Sequence, residues 1–160
     1  MLGRVIILMG SKSDLNYSEK IAGVLKDFDV PYEMRIASAH KTPQKALDIL
    51  REGQNEDDET VFITVAGRSN ALSGFCDANT SAPVIASPPY SDKFAGADIF
   101  SSLRMPSGVA PMVVLDPKGA ALAAVKILAV ADEELKKTLI SYQQDFKTTI
   151  AEDDEEVRSG

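Results

Sequence analysis

Histidine and cysteine occur once each in this chain, tryptophan is missing, and aromatic residues make up only 6% of it. The single cysteine, Cys76, cannot form an intramolecular disulfide, and with one histidine beside it no thiolate or imidazole donor set exists. Structural zinc is thereby excluded. No apolar run approaches the roughly 20 residues that a membrane span needs, so no membrane association is expected. The opening Met1-Leu2-Gly3-Arg4 leads straight into Val5-Ile6-Ile7-Leu8-Met9, too short for a secretory core and followed by no small-residue cleavage site; the expected location is cytoplasmic. Basic residues are outnumbered, 17 Lys and Arg against 24 Asp and Glu, for a formal net charge of −7. That sign opposes binding to the phosphates of DNA or RNA, so nucleic acid is not an expected partner.

The 160 residues suit one domain, long enough to bury roughly 70% of its unfolded surface without covalent staples. Its expected extent is 1–150. The remainder, 151–160, contains Glu152-Asp153-Asp154-Glu155-Glu156, where like charges repel and little is left to bury; a frayed, disordered, solvated end is expected there.

Four short apolar runs stand out: Val5 to Met9, Val61 to Val65, Val84 to Ala86 and Met112 to Leu115, with a weaker alternation from Tyr32 to Ala37. Val- and Ile-rich runs separated by helix-length segments are what strands buried on both faces of a parallel sheet look like. The intervening Leu15 to Phe28 places Ile21, Val24, Leu25 and Phe28 on one stripe, with Asp14 able to cap its start. Pro43 suits the first turn of a helix reaching Leu50, and the polar string from Glu52 to Glu59 reads as a surface loop. An Ala-rich helix is expected from Ala120 to Val130, and another from Glu133 to about Ile150, capped by Asp132. The pattern predicts an α/β fold: a three-layer αβα sandwich around a central, mainly parallel sheet of flavodoxin- or Rossmann-like type. The last helix is expected to pack on a neighbouring subunit.

In such folds the chemistry gathers where strands end and helices begin, because backbone N–H groups and helix dipoles converge there on anions. The first loop, Gly10-Ser11-Lys12-Ser13-Asp14, offers a glycine, two hydroxyls, a cation and a carboxylate. It matches neither the dinucleotide fingerprint nor the Walker pattern, and alone reads equally well as a capped turn. The second, Ser38-Ala39-His40-Lys41, carries the only imidazole, the side chain best suited to proton transfer near neutrality. The third is Ala66-Gly67-Arg68-Ser69-Asn70. Three such loops on one edge point to a pocket for a phosphorylated small molecule. Cys76 reads as a small buried hydrophobe rather than a nucleophile.

Taken together, Met9-Gly10-Ser11-Lys12-Ser13-Asp14, Pro31-Tyr32-Glu33, Ser38-Ala39-His40-Lys41-Thr42-Pro43 and Ala66-Gly67 resemble the PurE family of purine biosynthesis over nearly the whole chain, to about Ile150. The family has two forms. One is a mutase that moves a carboxylate from the exocyclic nitrogen to the ring carbon of aminoimidazole ribonucleotide (AIR). The other is a carboxylase that joins CO2 to that carbon; both give carboxyaminoimidazole ribonucleotide (CAIR). The mutase form typically reads Ser-Ala-His-Arg-Thr-Pro and carries a second histidine in its later block. Here Lys41 replaces the arginine and Ala71 stands where the second histidine would be, so the details resemble the CO2-using form, as does Ser101-Ser102-Leu103-Arg104-Met105-Pro106-Ser107-Gly108.

The resemblance implies His40 as general acid and base. It implies Ser11, Ser13, Ser38 and Lys41 around the phosphate, Asp14 at the ribose hydroxyls, and Gly67 and Ser69 beside the reacting carbon. Arg68 would steer charge or sit in a surface ion pair, and Met105 and Pro106 would form an apolar wall. It further implies AIR or CAIR and CO2 as small-molecule partners, no metal, biotin or ATP, and a homo-oligomer, octamer or tetramer. The alternatives are the mutase of the same family and, more remotely, a flavodoxin-like FMN module, against which the scarcity of aromatics counts. A receiver-type domain would need an acidic cluster that Asp14 alone does not make.

Overall fold

Alternate residues of the first strand face opposite ways into two separate apolar layers, and the rest of the fold follows from that. The computed structural model describes residues 3–54 and 59–160. Val5, Ile7 and Met9 of β1 (Arg4–Met9) join one buried cluster, while Ile6 and Leu8 join the other. The same split divides Val61, Ile63 and Val65 of β3 (Thr60–Val65) from Phe62. A strand buried on both faces is apolar at nearly every position, which is why these two runs stand out in the sequence.

The sheet is completed by β2 (Tyr32–Ile36), β4 (Val84–Ala86) and β5 (Met112–Val113). Its order is β2-β1-β3-β4-β5, every neighbouring pair parallel, with Val5 opposite Tyr32 and Val61, and Phe62 opposite Val84. This is the flavodoxin-like order, and the chain reverses direction across the sheet between β1 and β3. One face is covered by α1 (Leu15–Asp27) and α5 (Pro117–Leu128), through Ile21, Leu25, Ala121, Ala124 and Val125. The other is covered by α2 (Pro43–Gly53) and α3 (Ala71–Asp77), through Ile49, Leu50, Leu72 and Cys76. A short helix, α4 (Phe100–Leu103), lies in the long connection to β5.

Several expectations need correction. The second helix runs to Gly53 rather than stopping at Leu50. Of the polar string Glu52 to Glu59, expected to be a surface loop, Glu52 and Gly53 end this helix, and residues 55–58 lie outside the described residues. The last helix, α6 (Glu133–Ser159), starts as expected, with Leu135 N–H donating to Asp132 Oδ1 at 2.9 Å, but it does not end near Ile150. It continues through the acidic segment expected to be frayed and disordered. Those residues are solvent-exposed as expected, yet helical: Glu is a good helix former, no breaker precedes Gly160, and Arg158 lies 3.9 Å from both Asp154 and Glu155 on its own helix. The inner half of α6 is pinned by buried Leu135 and Leu139 and by the edge-to-face contact of Tyr142 with Phe28, ring centroids 4.9 Å apart.

Candidate functional site

At the carboxyl ends of the strands, over the reversal between β1 and β3, the loops open a cleft of about 620 Å³. That is well inside the roughly 300–1,000 Å³ range of small-molecule sites. His40, Ser11, Ser13, Asp14, Ser38, Lys41, Gly67 and Ser69, all expected at the site, line it. Lys12, the cation of the first loop, is not among the lining residues.

The first wall is built on Gly10. Its N–H donates to Val65 O at 2.9 Å, so the loop leaves β1 hard against the end of β3, and a Cβ at Gly10 would lie 3.4 Å from that of Ala66. Ser11 follows in extended conformation and opens a short 3-10 turn, Lys12–Asp14. Asp14 Oδ2 accepts from Ser11 N–H at 3.0 Å and from its hydroxyl at 3.3 Å. Asp14 thus stands at the start of α1 as expected, but its side chain holds Ser11 instead of bonding α1. Burial pushes its carboxyl above the ordinary carboxylate range, and the two bonds from Ser11 only partly offset that. The Ser11 and Ser13 hydroxyls stand 2.5 Å apart and hydrogen-bond each other on one side of the cleft.

The second wall is a self-bonded turn. Ala37 N–H donates to Met9 O at 3.0 Å, after which Thr42 N–H donates to Ser38 O at 2.8 Å and Ser38 N–H to Thr42 Oγ1 at 2.9 Å. Ser38 Oγ accepts from Lys41 N–H at 3.2 Å, which leaves its own proton to donate elsewhere. Pro43 then starts α2 at a place where a missing N–H costs nothing. His40 rides this turn, exposed at the mouth of the cleft.

The third wall, Gly67 to Asn70, bends through Arg68, a non-glycine residue in the left-handed region at φ 60°. Asn70 is buried and bonded through both its amide nitrogen and its amide oxygen. Its side chain accepts from Ser73 N–H at 3.3 Å, capping α3, and donates to Ser102 Oγ at 2.8 Å. Among the described residues no ion pair engages Arg68, so of its two expected roles the surface pair is not formed. Met105 and Pro106 do not wall the cleft. They lie against α3, where Met105 Sδ would sit 2.8 Å from a Cβ at Gly74.

Sequence reasoning missed a fourth wall, Pro89 to Lys93 after β4, which brings an aromatic ring, a carboxylate and another cation to the cleft. The Pro88-Pro89 pair at a strand end was the available signal for a loop there. A smaller cavity of about 230 Å³ shares Ala66, Gly67 and Pro89 with the cleft and extends to Ile99 and Leu115. Among the described residues no three His, Cys, Asp or Glu side chains gather as a metal-holding group. Cys76 is buried away from the cleft and its thiol is pushed up to about 12, chiefly by burial, as its reading as a small hydrophobe requires.

A flavodoxin-like sheet with an anion-suited cleft at its reversal defines a class of small-molecule α/β proteins, and comparison with known proteins narrows it. The model of the AIR carboxylase family matches residues 4–149, and the chain belongs to that family, also called PurE. It is 62% identical to a phosphoribosylaminoimidazole carboxylase of Archaeoglobus fulgidus, over 97% of this chain and 85% of the relative. A crystal structure of Treponema denticola PurE superposes with a TM-score of 0.93 at 51% identity, covering 96% of this chain and 98% of that one. An N5-carboxyaminoimidazole ribonucleotide mutase of Methanocaldococcus jannaschii is more distant, 39% identical over 96% of this chain and 97% of the relative. No helix among the described residues is long and apolar enough to cross a membrane.

Proposed function

We propose that the chain is a phosphoribosylaminoimidazole carboxylase of purine biosynthesis, carrying out the reversible carboxylation of AIR by CO2 to CAIR. The observation that carries this reading is the convergence of the His40 turn with the hydroxyls, cation and backbone of the loops after β1 and β3 around one cleft. The absence of a second histidine at Ala71 supports the carboxylase over the mutase.

In this reading the loop from Gly10 to Asp14 is the nucleotide-binding loop. Ser11, Ser13 and Ser38 donate to the phosphate and Lys41 neutralises it as a point charge. Asp14, with one oxygen occupied by Ser11, accepts from the ribose hydroxyls through the other. The electron-rich ring carbon attacks CO2: a carbon–carbon bond forms, one C=O pair moves onto oxygen, and the ring holds the positive charge beside its exocyclic amine. That carbon still carries a proton. His40 removes it, restoring the aromatic ring, and returns it in the reverse direction; proton transfer of this kind is worth about 100- to 10,000-fold.

Gly67 and Ser69 offer N–H groups to the developing carboxylate. Arg68 steers the incoming charge, and the smaller cavity beside Gly67 gives an uncharged gas room next to the reacting carbon. The ring carbon is nucleophile enough that no metal, biotin or ATP is required. The enzyme works in the cytoplasm as a homo-oligomer in which the last helix packs on a neighbour. Its exposed Ile140, Phe146 and Ile150, and the exposed Tyr32, Met34 and Ile36 of the edge strand, favour such packing.

The test is isotopic. Purified protein given AIR and labelled bicarbonate equilibrated to CO2 is expected to place label in the product carboxylate at the specific activity of the solution pool. Turnover of the N-carboxy isomer alone, with little exchange from solution, would move the chain to the mutase branch.

A further inference from the structure

Among the described residues, the non-glycine residues with positive φ are Asp29, Arg68 and Ala95, and of these Arg68 is the one in the cleft wall. A left-handed arginine persists only where its surroundings fix it. Here the fixing comes from residues about thirty positions later in the chain. Arg68 N–H donates to Asp98 Oδ2 at 3.1 Å. Asn70 N–H donates to Ser101 Oγ at 2.9 Å, and the single proton of that hydroxyl is within reach of Asp98 O at 2.8 Å and Arg68 O at 3.3 Å. The strained peptide is therefore held on both sides by one short segment.

The chemical consequence lies in which N–H groups are left over. With the Arg68 N–H committed to Asp98, those of Gly67 and Ser69 are the amides of this wall without an acceptor among the described residues, and both residues line the cleft. We propose that Asp98, assisted by Ser101, is a positioning residue for the reaction: it draws the Arg68 N–H out of the cleft and so keeps the flanking amides aimed at the carboxylate being formed. This rests on the carboxylase reading above. A donor fixed before the reaction stabilises developing charge without reorganising, whereas a mobile one does not. Asp98 is not among the residues lining the main cleft, where AIR is placed; its effect there passes through the backbone of residue 68.

The experiment compares Asp98→Ala, Asp98→Asn and Ser101→Ala with the wild type in two readouts. The first is steady-state kinetics with AIR and CO2. Asp98→Ala is expected to lower kcat at least tenfold while KM for AIR moves less than threefold, because the phosphate loops are untouched. Asp98→Asn, which keeps a carbonyl acceptor for the same N–H, is expected to stay within about threefold of wild type. The second readout is amide hydrogen exchange in the peptide spanning 66–71, expected to speed up in Asp98→Ala, and to a smaller degree in Ser101→Ala, with the β1 and β3 amides unchanged. Unchanged exchange in 66–71, or an unchanged kcat beside an active wild type, overturns the proposal, as does equal loss in Asp98→Ala and Asp98→Asn. A wild type that does not carboxylate AIR sinks the carboxylase reading instead, while exchange still decides whether Asp98 holds the loop.

Discussion

Ser38 and Thr42 lock the turn that carries His40 through reciprocal bonds, Ser38 N–H to Thr42 Oγ1 at 2.9 Å and Thr42 N–H to Ser38 O at 2.8 Å. The imidazole itself is exposed, so its direction is set by this turn rather than by packing around the ring. His40→Asn is expected to lower turnover by about 100- to 10,000-fold while AIR binding stays within about tenfold, since the proposed phosphate site is made of other residues. Thr42→Val removes one of the two locking bonds and is expected to cost several-fold in kcat with little change in KM. Calorimetric binding beside steady-state rates checks both; a His40→Asn variant keeping more than a tenth of wild-type turnover would take the imidazole out of the mechanism.

Asp14 is expected to produce a stability trend opposite to that of a salt-bridged carboxylate. Its folded-state pKa is raised, first by burial. Between the ordinary value of 3.8 and the raised one, the unfolded chain has lost the proton that the folded chain keeps. The unfolded state then binds fewer protons, so this group's contribution to stability falls as pH rises through that window and is flat above it. Urea midpoints of wild type and Asp14→Asn, measured from pH 3.5 to 7, should show the wild type losing ground to the variant over the lower part of that range. A gap that does not vary with pH would mean that Asp14 is not desolvated.

The sheet was legible because a strand covered on both sides is apolar nearly throughout, as Val5 to Met9 is and as Val61 to Val65 is except for Thr64, whose buried hydroxyl bonds Ile85 O; the observed strands begin or end within two residues of the expected runs. The cleft residues were legible for a related reason. Gly10, Ser38, His40 and Gly67 sit immediately beyond strand ends, so locating the strands located them. What stayed hidden was long-range and polar. The bond from Asn70 to Ser102, and the bond of Arg68 to Asp98, join segments with no apolar periodicity and no spacing rule, and the Gly-containing α3 is too short to show one. The extension of α6 through 151–159 runs against the expectation from like-charge repulsion because that repulsion is weak between solvated side chains and Glu is a good helix former.

Activity is expected to survive removal of divalent metal. No His, Cys, Asp and Glu grouping among the described residues offers three ligands, and the enamine-like ring carbon needs no Lewis acid to attack CO2. Rates measured before and after dialysis against a chelator should agree within experimental scatter. A loss on dialysis that a divalent cation restores would contradict this and would require ligands from elsewhere.

Cys76 links the core to a second pH effect, at the alkaline end. Its thiol is pushed from 9.0 to about 12, by burial first and by the neighbouring Asp77 carboxylate second. Above pH 9 the unfolded chain loses this proton while the folded chain keeps it, so the unfolded state again binds fewer protons and stability falls as pH rises, by about 1.4 kcal/mol per unit at most. Cys76→Ala leaves a small cavity against Leu72 and the other residues of that layer and should be less stable than wild type at pH 7.5. The variant has no thiol to ionise, so the gap between the two urea midpoints should narrow towards pH 10.5. The same burial predicts that iodoacetamide leaves the native thiol unmodified at pH 8 over the time in which it fully labels the urea-unfolded chain. Rapid native labelling together with a pH-independent gap would show that Cys76 is open to solvent, and the layer between the sheet and α3 would then be less closed than its packing indicates.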